Sequence, residues 1–267
     1  MDTPQLTPLL GYQGQFLAPA LILGGLFAVR YLVLASLAFA GWYGFGSTRV
    51  RPGKLQSVLP SRRQIVREIG WSAATVLVFG TVAGLLSASG LVRGTRLYGE
   101  IAEFGWAYFW LSIPLLVALH DTWFYWTHRL MHHRALFRYF HRVHHRSTNP
   151  TPWTAYAFHP LEATVQALGI VAFLFILPVH PLAVVVFQTI STAVNVYGHS
   201  GHELYPRGWA THPLGRWLNT SVAHNAHHAT ARHNYGLYFL FWDRLMGTID
   251  PGYAAQYDRA RGPNPRA

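Results

Sequence analysis

The sequence predicts an all-α fold: an integral-membrane helical bundle of about four or five spanning or membrane-inserted helices, capped by a cytosolic histidine-rich domain. Three observations predict it. Only 12 % of the 267 residues are charged, against about 25 % in an ordinary soluble domain. Residues 163–202 carry no formally charged side chain at all. All 16 histidines lie between His120 and His233. Cysteine is absent, which excludes disulfides, thiolate metal sites and cysteine nucleophiles, so any bound metal must rest on nitrogen and oxygen.

Taken in order, the N-terminal MDTPQLTPLLGYQGQ lacks a basic n-region, so the first apolar segment is expected to stay as an anchor. That segment, 16–43, is apolar except for Arg30 and is long enough to cross a ~30 Å hydrocarbon layer. A basic stretch follows, with Arg49, Arg51, Lys54, Arg62, Arg63 and Arg67. Residues 71–92 form a second candidate span. A third apolar run, 105–119, continues into the aromatic HDTWFYWTH. The charge-free stretch after 163 is broken at Pro178-Val179-His180-Pro181, which reads as the tip between two short helices. The whole chain reads as one domain over 1–267: membrane helices over 1–104, membrane helices with the histidine region over 105–250, and a tail over 251–267 whose last residues, QYDRARGPNPRA, are expected to fray.

Arginine placement orients the bundle. With the N-terminus outside, the cytoplasmic segments carry 18 positive residues and the external loop only Arg93 and Arg96. The net charge of +11 is therefore read as positive-inside bias rather than as a nucleic-acid surface, since no groove-reading or single-strand motif accompanies it.

The histidines are spaced, not scattered. His128 and His132 form H-x-x-x-H; His141, His144 and His145 form H-x-x-H-H; His224, His227 and His228 repeat H-x-x-H-H. Helical residues three and four apart share a face, so each motif is expected to aim its imidazoles at one point. His141 lies about 180° from His132 on one straight helix, so the chain must bend within 134–140. Neutral imidazole suits iron, zinc and copper. Eight such ligands exceed the four of a structural zinc site, so the count favours two metals at the cytoplasmic edge of the membrane. His180, His212 and His133 read as structural residues.

With these motifs on the page, the chain resembles the fatty acid hydroxylase/sterol desaturase superfamily, and within it the sterol C-5 desaturase (lathosterol oxidase) branch. The resemblance rests on HDTWFYWTHRLMHH, HRVHHRSTNPTPWTAYAFHPLEA, HNAHH and NYGLYFLFWDRLMGT and covers residues 98–250. It implies a di-iron centre, Fe²⁺ with O₂ as co-substrate, ligated by His128, His132, His141, His144, His145, His224, His227 and His228, with His199 completing the shell. His159 is weighed evenly as a ligand or a residue supporting one, Asn195 as a residue at the metal shell beside His199 or a polar residue hydrogen-bonded inside the bundle, and His120 and His202 as further metal or supporting candidates. Asp121, beside His120, either orients a ligating imidazole or pairs with an arginine. His202 and His233 read as outer residues or surface histidines, and Trp242-Asp243-Arg244 as a structural dock for the C-terminal segment.

The resemblance also implies desaturation or hydroxylation of a lipid C–H bond, with a sterol-like substrate ahead of an acyl chain, a carotenoid or a hopanoid. The chain shows no flavin or nicotinamide fingerprint, so electrons must come from an external reductase, ferredoxin or cytochrome. The membrane is the inner membrane if the chain is bacterial and the endoplasmic reticulum if it is eukaryotic. Two other classes compete. A metal transporter would line its spans with ligands near midplane, and a membrane zinc hydrolase would carry an H-E-x-x-H-like base, which is not in the sequence.

Overall fold

The computed structural model describes residues 15–44 and 54–261. Arg49, Arg51 and the extreme N-terminus, which entered the topology and anchor expectations, lie outside the described residues, as do 262–267. Among the described residues the chain is helical, with isolated β-bridges and no strands.

Helix α1, Leu17–Tyr43, and α2, Arg62–Ala88, are both long and apolar enough to span a membrane. They pack antiparallel through small residues. A Cβ on Gly80 would stand 2.7 Å from the Ala20 carbonyl oxygen, and one on Gly84 would stand 2.7 Å from that of Phe16. Only glycine lets the two backbones approach this closely. The second span begins earlier than the hydropathy run: Ser61 caps it by accepting the Gln64 N–H, which draws Arg62, Arg63 and Arg67 into the first turns.

Helix α3, Gly105–Met131, carries the aromatic run and ends at His132. The expected bend comes at once, over 132–136, and slightly earlier than predicted. Two single-turn helices follow: α4, Phe137–Phe140, and α5, Arg142–His145.

Helices α6, Pro160–Ile176, and α7, Pro181–Gly198, form the predicted pair around the proline tip, and α7 is the third helix that meets the length and hydropathy of a span. Both begin with the same device. A histidine N-cap accepts a backbone N–H two residues on (Leu161 N to His159 at 3.3 Å, Leu182 N to His180 at 3.1 Å), and proline fills the first helical position. His180 also donates to the Gly99 carbonyl, in keeping with its structural reading.

The remaining elements are α8, Ser221–Thr230; α9, Phe241–Leu245; and α10, Tyr253–Ala260. Helix α10 corrects the expectation of a tail. Tyr253 and Tyr257, one turn apart, are buried against Val222, Ala223 and Leu240, and their hydroxyls reach Thr220 and the Pro206 carbonyl.

The histidines collect at one end of the bundle, where α1 and α7 end, α2 and α6 begin and α3 stops. The loop after α5 is tied to that end by buried contacts. Thr151 donates to Glu68 at 2.6 Å, and Tyr31 donates to the Trp153 carbonyl at 2.7 Å.

Candidate metal centre

Nine histidines converge in two groups: His128, His132, His141, His145 and His227 in the first, and His144, His199, His224 and His228 in the second. Within each group the offered ring nitrogens lie within 4.8 Å of one another. These are the nine positions singled out as ligands from the sequence. The structure corrects how the motifs are used. Each H-x-x-H-H divides between the groups: His141 and His145 join the first while His144 joins the second, and His224 and His228 join the second while His227 joins the first. Adjacent residues point about 100° apart around a helix, so one motif reaches two centres. Helices α5 and α8 thus make reciprocal contributions, and α3 and the end of α7 complete one group each.

The ring nitrogens meet at coordination distances. Nε2–Nε2 separations are 3.3 Å for His128–His132, 3.1 Å for His145–His227 and 3.1 Å for His144–His199. His199 also lies 2.9 Å from His224 and 3.1 Å from His228. Around a metal bound at about 2.0–2.1 Å, neighbouring nitrogens stand roughly 2.9 Å apart at right angles and roughly 3.4 Å apart in a tetrahedron.

The far side of the rings fixes which nitrogen faces inward. The Nδ1 of His128 donates to the Tyr235 carbonyl (2.8 Å), that of His199 to Asn195 (2.7 Å), that of His227 to His233 (2.6 Å) and that of His228 to Ser147 (3.0 Å). The Nδ1 of His141 donates to the Glu162 carboxylate at 2.7 Å. Carbonyls and carboxylates only accept, and a neutral imidazole has one N–H, so these five rings present bare Nε2 lone pairs to the centre. The His141 Nε2 is buried with no hydrogen-bond partner. Facing lone pairs at about 3 Å repel one another unless a cation stands between them.

Protons are poor candidates for that cation. Burial, and after it the neighbouring imidazoles, holds His141, His144, His224, His227 and His228 well below the ordinary histidine range, and His145 down to about 3. The donor set is neutral nitrogen in a water-poor enclosure, and the two groups could each hold a metal ion.

The other predicted positions fall away from the centre. His159 is the N-cap of α6 and belongs to neither group. The Asn195 side chain donates to the Ala155 carbonyl, while its backbone oxygen orients His199. Asp121 neither orients a ligand nor meets an arginine; it accepts the Tyr238 and Phe239 N–H groups. His120 meets the Tyr238 hydroxyl at 2.7 Å. His202, weighed chiefly as a surface histidine, is buried and stacked on Trp42. The His233 imidazole is in neither group, but its carbonyl anchors His227. Asp243 accepts from Tyr235 N, Gly236 N and the Thr248 hydroxyl, and so holds the loop that carries these carbonyls.

An apolar cavity of about 440 Å³ runs among α1, α2, α6 and α7 toward the histidines. Phe124, packed on His128, and Phe158, packed on His144, stand in its wall.

The fatty acid hydroxylase family model matches residues 113–248, just over half of the chain and every one of the nine histidines. The chain belongs to the fatty acid hydroxylase family. Among similar members are a Delta(7)-sterol 5(6)-desaturase of Gibberella zeae, 33 % identical over 160 residues (60 % of this chain, 48 % of the relative), and a lathosterol oxidase of Rattus norvegicus, 33 % identical over 190 residues (69 % and 58 %). A Delta(7)-sterol 5(6)-desaturase of Aspergillus fumigatus is 30 % identical over 239 residues (88 % and 66 %). The chain spans about half the length of the first of these curated relatives. No solved structure matches it.

Within this member of the family, the sequence reading missed Glu162 and the loop 231–235. Glu162 carries a signal in HPLEA, as the last charge before the charge-free run that starts at residue 163. The carbonyls had no side-chain signal. They are aimed partly by left-handed backbone at two non-glycine residues, Ala231 (φ 56) and Asn234 (φ 58).

Proposed function

We propose that this protein is a membrane-bound di-iron oxidase that uses O₂ and external electrons to oxidise a C–H bond of a sterol-like lipid, by desaturation between ring carbons 5 and 6. The observation that carries the reading is the placement of two all-imidazole groups directly behind Phe124 and Phe158, which wall one end of an apolar cavity. An iron pair, when bound, supplies the O₂ and one-electron chemistry that no side chain here provides. His128, His132, His141, His145 and His227 would hold one iron; His144, His199, His224 and His228 would hold the other.

The chain's own residues supply position and exclusion. Glu162 and the carbonyls of Ser147, Asn195, His233 and Tyr235 keep the rings turned inward. Phe124 and Phe158 press apolar surface against the imidazoles and keep bulk water from the cavity end. Ile22, Leu26 and Val185 line the cavity and are exposed, which supports entry of a lipid from the bilayer side. The names of the relatives support a sterol over an acyl chain or carotenoid. Arginine placement supports a cytoplasmic histidine end, where a reductase, ferredoxin or cytochrome would dock. A metal transporter fits less well, because the groups sit at helix ends and not at midplane.

The test is turnover by purified protein with a Δ7-sterol, O₂ and a chemically reduced ferredoxin. A product lighter by two hydrogens supports the reading. Unchanged sterol, with iron bound and reduced donor consumed, contradicts the substrate assignment.

A further inference from the structure

The cavity wall is apolar apart from a few polar side chains, and most of those are committed within the fold. Arg30 donates to the Thr192 hydroxyl, His120 meets Tyr238, and Asn195 donates to the Ala155 carbonyl. Gln166 differs. Its side chain is 6 % exposed, and both its amide nitrogen and its amide oxygen are buried without a hydrogen-bond partner. Among the described residues that line the cavity, no other has both polar atoms in that state. A buried, unpaired amide costs stability unless something supplies its partners.

Its position is specific. Gln166 follows Glu162 by one turn on α6, so the two share a face about 6 Å apart along the helix axis. Glu162 holds His141. The amide therefore sits one turn deeper in the bundle than the carboxylate that anchors a histidine of the first group.

An amide presents a donor and an acceptor together, and a hydroxyl is the small group that answers both. A carboxylate or ketone answers only the donor, and the methylenes of an acyl chain answer neither. We propose that Gln166 receives the hydroxyl of a sterol-like lipid alcohol and so sets which ring carbon faces the histidine groups. The inference rests on the lipid-oxidase reading above and refines it. In a sterol, carbons 5 and 6 lie two and three bonds from the carbon that bears the ring hydroxyl. A hydroxyl held one turn from Glu162 keeps those carbons nearer the histidine end of the cavity than the sterol side chain, whereas an acyl chain would have no use for an amide at that depth.

The test is equilibrium binding to the full-length protein in detergent, with 5α-cholestan-3β-ol and 5α-cholestane as probes; they differ only in the hydroxyl. Wild type should prefer the alcohol by about tenfold, a single-site hydrogen-bonding effect. In Gln166→Leu the preference should fall to within about twofold, through weaker binding of the alcohol with the alkane unchanged or tighter. Gln166→Met, which keeps length without the amide, gives the same comparison if leucine disturbs packing. Equal binding of the two probes by wild type, or a preference that survives in the variants, overturns the proposal. Iron content is measured on the same samples. A protein that holds iron but binds neither probe overturns the hydroxyl site and leaves the oxidase reading standing. A protein that holds no iron shows that the underlying reading has failed.

Discussion

Glu162 is the most informative single residue at the centre, because its side chain makes one hydrogen bond, to the Nδ1 of His141, and its other oxygen is unpaired. Carboxylate partners of ligating imidazoles fix ring orientation, and their loss typically lowers metal affinity about 10–100-fold. Glu162→Ala should therefore weaken one of two metals by that factor in a chelator competition while leaving the other in place, and Glu162→Gln, which can still accept the N–H, should recover part of the loss. The cluster histidines also tie stability to pH. Burial and neighbouring imidazoles hold them below their unfolded value of about 6.5, so between that value and the depressed ones the unfolded chain binds more protons than the folded one. Their stability contribution is complete above about pH 6.5 and is lost as pH falls below it. Thermal unfolding in detergent should thus begin at a lower temperature at pH 5.5 than at pH 7.5. Eight of the nine inward-facing histidines were legible because side-chain spacing on a helix is a sequence property; His199 lies in no spaced motif and was legible only through the family resemblance. Their division between two groups was not, because it depends on where α5 and α8 lie relative to each other. The carbonyl anchors were invisible for a related reason: backbone groups are aimed by tertiary approach, and every residue carries one.

Elements show the same boundary between local and non-local information. The long apolar helices and the proline tip follow from hydropathy and turn chemistry alone, and both histidine-proline starts are local capping devices. Helix α10 was missed because a short segment of mixed polarity, QYDRA, carries little intrinsic signal; the pair Tyr253 and Tyr257 at helical spacing was the clue. Tyr257→Ala should cost about 3 kcal/mol or more by emptying a fully buried site, read as a lower midpoint in thermal unfolding. Close backbone contact makes α1 and α2 equally sensitive. Gly80→Leu must displace the Ala20 carbonyl, so it should separate these helices and lower stability by about 1–3 kcal/mol, with Gly25→Leu, whose added Cβ meets nothing within 4 Å, as the neutral comparison.

At the scale of the molecule, the bundle brings two unlike environments together: apolar helices around a greasy cavity, and at their shared end a dense set of neutral nitrogens with lone pairs turned inward. Hydropathy points to a membrane bundle, histidine convergence to two groups that could each hold a metal, and family membership to oxidative chemistry; the proposed lipid-oxidising centre joins these three separate properties of the chain. The centre's composition is the claim on which the rest depends. The most direct test is elemental analysis of detergent-purified protein after anaerobic loading with Fe²⁺, beside His144→Ala and His227→Ala, which remove one ligand from each group. About two irons per wild-type chain, with one or both lost in each variant while membrane insertion persists, is the predicted result. Stoichiometric zinc with no retained iron, or iron content unchanged in both variants, would contradict it.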